Sequence, residues 1–95
     1  MKEIGWSAEK NRQLIKDRNI SFEDAVFCLL NDRLLDDIEH PDTDKYSNQR
    51  VFVIEIDDYA YLVPYVESES SIFLKTVIPS RKATKQYLRR ENEQG

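Results

Sequence analysis

The stretch RVFVIEIDDYAYLVPYVE, residues 50–67, alternates at period two, breaks at a pair of acids and alternates again. Over Arg50 to Asp57, Phe52, Ile54 and Ile56 share one face, while Val51, Val53, Glu55 and Asp57 share the other. The all-apolar set is expected to meet the core. Asp57-Asp58 reads as a tight turn into a second strand, Tyr59 to Glu67. Pro64 has no N–H for the ladder, so a bulge or a locally unpaired edge is expected there. After the polar Ser68-Glu69-Ser70-Ser71 connection, Ile72 to Pro79 reads as a third strand. Ile72, Leu74 and Ile78 would share one of its faces, and Phe73, Lys75 and Val77 the other.

Upstream of this region, Ser7 is placed to cap a helix over Ala8 to Arg18, with Leu14 and Ile15 packing inward and Trp6 bracing its start. Asn19 tolerates the left-handed conformation that ends a helix, and Ser21-Phe22-Glu23-Asp24 begins the next one close to a capping box. Phe22, Ala25, Val26, Leu29 and Leu30 then recur at helical spacing as one buried stripe. Leu34 to Glu39 fits a short strand and His40 to Gln49 a polar loop. Downstream, Ser80 caps a last helix through Arg81, Lys82, Ala83, Tyr87 and Leu88.

The expected fold is therefore α+β: two N-terminal helices, an antiparallel sheet of three to four strands and a C-terminal helix, with the helices on one sheet face. Residues 1–90 form one domain in this reading, and residues 91–95 a frayed tail.

With 95 residues, 40 % hydrophobic and 34 % charged, the chain has room for one core. Its single cysteine, Cys28, lies in an apolar run with no second thiol to pair with, which excludes an internal disulfide and fits a buried hydrophobe in a reducing cytoplasm. No apolar run is long enough to span a bilayer, and Glu3 and Trp6 stand where a signal peptide would have its apolar core. Two glycines cannot build a phosphate-binding loop or a dinucleotide fingerprint. His40 with Glu39, Asp42 and Asp44 lacks the repeated ligands of a zinc site, so neither metal nor cofactor is expected.

A net charge of -4 conceals a segregation. Asp32 to Glu69 holds eleven acidic and three basic residues, whereas Ser70 to Arg90 holds six basic and none acidic. Such a block binds nucleic acid, phosphate or an acidic partner, or it is simply the solvated face of a helix. If Phe52, Ile54 and Ile56 face the helices, Tyr61, Val63 and Tyr65, or their neighbours, lie on the other sheet face depending on register with Phe73, Lys75 and Val77; tyrosine rings there would stand beside cations, which suits single-stranded RNA. Ordinary sheet packing explains tyrosines equally well.

Three segments carry a resemblance. Gly5-Trp6-Ser7, then Arg18-Asn19-Ile20-Ser21-Phe22-Glu23-Asp24-Ala25, then Ser80-Arg81-Lys82-Ala83-Thr84-Lys85 resemble the successive signatures of BrnT-type toxins, over nearly the whole length. The family usually has His-Gly where this chain has Arg18-Asn19, and Asp-Pro where it has Asp32-Arg33.

The resemblance implies a RelE-like ribonuclease fold and a cytoplasmic type II toxin that cleaves RNA without metal. It also implies a silencing antitoxin bearing a ribbon-helix-helix DNA-binding domain, so that DNA is met only through that partner. On this reading Lys75 and Arg81 hold or neutralise phosphate, Tyr65 orients RNA or moves a proton, and His40 is a further catalytic candidate. Lys82, Tyr61 and Arg50 would bind RNA, while Lys85, Arg89 and Arg90 would meet the antitoxin. The rival readings are a non-catalytic interaction module that docks a partner through the basic helix, and an RNA-binding protein that only coats its target.

Overall fold

The computed structural model of the chain describes residues 2–45 and 48–89. Its elements are β1 (Glu3–Trp6), α1 (Ala8–Arg18), α2 (Phe22–Leu30), β2 (Leu34–Glu39), β3 (Gln49–Ile56), β4 (Tyr59–Glu67), β5 (Ser71–Leu74), β6 (Ile78–Pro79) and α3 (Arg81–Leu88). The fold is α+β. The expected tail, residues 91–95, lies outside the described residues.

At the hairpin Asp57 and Asp58 both take left-handed backbone, φ 52° and 64°, and Ile56 faces Tyr59 across the turn. Paired positive φ gives the turn whose twist matches that of the strands, and Asp enters this region more readily than most residues. The turn fixes the register: Phe52 lies opposite Val63, Ile54 opposite Tyr61 and Arg50 opposite Tyr65. Directly opposed residues share a face. Tyr61, Val63 and Tyr65 therefore join Phe52 and Ile54, and of the two registers the sequence leaves open it is their neighbours, Leu62 among them, that take the opposite face.

The sheet runs β1-β5-β4-β3-β2, with β6 also beside β4. Among the described residues it has six strands rather than three or four, and β1 pairs with β5 in parallel. Sequence pattern misses β1 because it is short, contains Gly5 and takes its partner from the far end of the chain.

The helix ends form as their residues dictate. Ser7 Oγ accepts the Lys10 N–H at 3.2 Å, and Asn19 closes α1 at φ 56°. Ser21 and Asp24 exchange both capping-box bonds. Asn11 locks the corner: its Oδ1 accepts the Phe22 N–H at 2.7 Å and its Nδ2 donates to Glu23 at 2.8 Å. That amide holds the Glu23 carboxyl below its usual range.

The main core lies between the sheet and α1–α2. Leu14, Phe22, Ala25 and Cys28 meet Phe52, Ile54, Val63, Tyr65 and Leu74, and Trp6 stacks on Phe22 at 5.6 Å. Two expected core residues do not reach it: Ile15 and Leu30 are 48 % and 67 % exposed, because they fall on the outer sides of their helices. A smaller core lies on the other face, where Val53, Ala60 and Leu62 meet Ala83, Tyr87 and Leu88 of α3. The helices thus cover both faces, which corrects the one-face expectation.

A bulge explains how α3 reaches the far side. β4 takes three steps from Tyr65 to Leu62 while its neighbour takes four, from Leu74 to Ile78. The extra residue sits opposite Pro64, whose missing N–H leaves a gap in the ladder while its carbonyl still accepts the Lys75 N–H at 2.8 Å. Arg18 donates to the Val77 carbonyl at 2.7 Å. One added residue reverses facing: Val77 is buried in the α1–α2 core, whereas Ile78, paired with Leu62, turns to the α3 side. The expected grouping of Ile78 with Leu74, and of Val77 with Phe73, is corrected accordingly.

Candidate nucleic-acid interface

α3 begins where the sheet ladder ends. Ser80 Oγ accepts the Ala83 N–H at 3.1 Å, its own N–H donates to the Ala60 carbonyl, and Thr84 Oγ1 accepts the Ala60 N–H at 2.9 Å. Thr84, 1 % exposed, thus replaces the strand partner that β4 loses when the chain turns helical. From Ser80 beside β4 the helix reaches β2, where the Tyr87 hydroxyl donates to Asp36 at 2.6 Å and holds that carboxyl below its usual range.

Ala83 and Thr84 are buried and Tyr87 and Leu88 half-buried, which turns Arg81, Lys82, Lys85 and Arg89 to solvent. Among the described residues none of these four cations has an acidic partner; the ion pairs are Lys2–Glu67 and Arg50–Asp37. Arg81 and Lys82 also occupy a first turn with no acid in it, where positive charge opposes the helix dipole. Local structure gains nothing from cations there, and such a conflict marks a surface shaped for something else.

Lys75 belongs to the same side. Its ammonium lies 5.7 Å from the Phe73 ring centroid, and Phe73, opposite Val66, is on the α3 face by register. Between Lys75 and Arg81 the chain is mostly extended, so their backbones are on the order of 15–20 Å apart. The two cations fit different phosphates of one strand better than a single phosphate. His40 has the parity of this face, since its N–H donates to the Gln49 carbonyl and Gln49 pairs with Val66. Three strand spacings separate it from Phe73, about 14 Å, and its Nδ1 accepts the Asp42 N–H at 3.1 Å.

The remaining candidates sit on the α1–α2 face. Tyr65 is 2 % exposed and stacked on Phe52 at 3.9 Å. Its hydroxyl donates to Asp37 at 2.7 Å, the carboxylate that also receives Arg50 at 3.2 Å. Burial first, then Asp37, push the Tyr65 hydroxyl up to about 12, so it is a poor proton acceptor near neutrality. Arg50 is held in its charged form by Tyr65 and Asp37. Tyr61 packs against the main core, edge-on to Tyr59 at 5.8 Å, and burial raises its hydroxyl. The candidates therefore divide between two faces: Lys75, His40, Arg81, Lys82, Lys85 and Arg89 on one, Tyr65, Tyr61 and Arg50 on the other. Arg90 lies outside the described residues.

Phe73, 42 % exposed, is the aromatic that sequence reading left out of this surface. The signal for it is the period-two alternation itself, which gives an aromatic two residues before Lys75 the facing of Lys75. Cys28 is buried, donates to the Glu55 carbonyl at 3.3 Å, and burial pushes its thiol up. Among the described residues no group of three or more His, Cys, Asp or Glu side chains is placed to hold a metal ion. No helix there is long and apolar enough to cross a membrane. No protein-family model, curated protein or solved structure matches the chain.

Proposed function

We propose that the chain is the toxin of a type II toxin-antitoxin pair, a cytoplasmic endoribonuclease of RelE-like layout that holds RNA phosphates on its α3 face. The observation that carries this reading is the row of exposed cations on that face, without acidic partners among the described residues. The resemblance of Ser80 to Lys85 to the BrnT-type signature supports it. In the reaction a ribose 2′-OH attacks the adjacent phosphorus, the bond to the 5′-oxygen breaks, and the proton passes from the 2′-oxygen to the leaving oxygen. Arg81, assisted by Lys82, stabilises the charge that builds on the phosphoryl oxygens, and Lys75 holds a neighbouring phosphate of the same strand. Tyr65 positions the sheet rather than the proton. A ribbon-helix-helix antitoxin silences the enzyme.

The purified chain should cut RNA in the presence of a chelator, and expression alone should arrest growth until the antitoxin is supplied. Arg81→Ala should slow cutting by about 100-fold or more, and Lys75→Ala should weaken RNA binding and slow cutting with it. Full activity in the double variant would sink the assignment.

A second reading is favoured by the distance of His40 from Lys75 and by the engaged Tyr65 hydroxyl. It is a non-catalytic module that binds RNA or an acidic partner on the same face. It predicts salt-sensitive RNA binding with no new RNA ends.

A further inference from the structure

Gly5 has no structural need to be glycine. Its φ is not positive, and a Cβ built on it meets nothing within 4 Å. Glycine inside a strand costs roughly 0.5–1 kcal/mol against a residue with a side chain, and it often marks a place where a ligand comes close to the backbone. Gly5 lies directly opposite Phe73, and Glu3 directly opposite Ser71. Trp6 and Ile4, paired with Leu74 and Ile72, point into the α1–α2 core. Glu3, Gly5, Ser71 and Phe73 therefore share the α3 side of the sheet.

α3 packs over β4, β3 and β2, so it does not cover this end. What remains is a shallow depression of about 460 Å³ lined by Glu3, Ile4, Gly5, Ser71, Ile72 and Phe73. An exposed aromatic ring borders a floor with no side chain, a lysine ammonium stands 5.7 Å from the ring, and the Glu3 carboxylate has no partner among the described residues.

We infer that Gly5, Phe73, Lys75 and Glu3 form a subsite for one unstacked base of single-stranded RNA. This rests on the RNA reading of the α3 face. The base stacks on Phe73 over the open Gly5 backbone, Lys75 holds the phosphate beside it, and Glu3 accepts from an exocyclic amino group. Stacking on an aromatic ring tolerates any base, whereas a carboxylate acceptor favours bases that carry an amino group over uracil.

The test uses the full chain and fluorescein-labelled single-stranded oligoribonucleotides of C-only and U-only sequence, read by anisotropy beside melting curves. Phe73→Ala should weaken binding by about 5- to 100-fold, and Phe73→Tyr should restore it. Gly5→Val suits a strand and its Cβ meets nothing within 4 Å, so it should leave the melting temperature unchanged or raised while weakening binding to a similar extent. Glu3→Gln should remove the preference for the C-only strand. If Lys75→Ala with Arg81→Ala abolishes binding but Phe73→Ala and Gly5→Val bind as the parent does, the subsite is overturned and the RNA reading stands. If the parent binds neither strand at low salt, both fall together. Competition by cytidine monophosphate at the concentration at which the C-only strand competes would overturn the assignment to an RNA strand.

Discussion

The two faces of the sheet are built to opposite rules. On the α1–α2 side Phe22, Ile54, Val63 and Leu74 are fully buried, and Tyr65 has both a ring partner and a hydroxyl partner. On the α3 side four cations face water, a phenylalanine is 42 % exposed, and a glycine occupies a strand position that would accept a side chain. Cations without acidic partners among the described residues, an exposed ring and a side-chain-free strand position thus meet on the α3 face, whereas the exposed apolar side chains of the other half, Ile15, Phe27 and Leu30, lie on the outer sides of α1 and α2.

Substitutions should separate the faces sharply. Phe22→Ala should be the most damaging, costing about 3–5 kcal/mol, which removes much of the folded population in a denaturant titration. A cost under about 1 kcal/mol would show that the α1–α2 face is not the principal core. Thr84→Val keeps the shape but leaves the buried Ala60 N–H without its acceptor, so unfolding should become easier by about 1–3 kcal/mol. Parent-like stability there would mean that α3 is not needed to finish the β4 ladder.

The Tyr65 hydroxyl gives a pH signature. Its folded value is raised to about 12 from an ordinary 10, so the unfolded chain loses this proton first as pH rises. The stability it contributes is fully present below pH 10 and is lost as pH rises towards 12. Tyr65→Phe should flatten that part of the stability profile. Smaller still, Asp58→Gly relieves a non-glycine residue at φ 64° and should stabilise the hairpin by up to about 1 kcal/mol without altering RNA binding. At the far end of the scale, Lys82→Ala, which removes a cation from the first turn of α3, should not lower the melting temperature while weakening RNA binding, whereas a clear loss of stability would make this cation structural.

The same contrast shows what sequence could and could not disclose. Ser7, Ser21 and Ser80 cap the helices that the sequence predicts, and the β3–β4 hairpin turns at Asp57-Asp58, because short-range chemistry settles both. The facing of the tyrosines was within reach too, since a two-residue turn sets Ile54 against Tyr61. Beyond reach were the β1–β5 pairing, which is non-local, and the exposure of Ile15 and Leu30, which depends on how each helix sits on the sheet. The extra residue opposite Pro64 also reverses Val77 and Ile78 without any change in hydrophobic pattern. Lys75 and the α3 cations were legible as charge. That Tyr65 and Arg50 share Asp37 on the other face was not, because three strands must align before those side chains meet.

The parallel pairing of β1 with β5 also has a consequence in time. Glu3 leaves the ribosome well before its strand partner, which begins only at Ser71. Until β5 is made, β1 has no sheet to join, and closing so long a span is slow relative to local folding. The depression around Gly5 and Phe73 is therefore assembled late in synthesis, after the β3–β4 hairpin has had time to form. A nascent chain can carry a folded hairpin and still lack the base subsite, so any RNA binding that depends on it switches on only when the two distant segments meet.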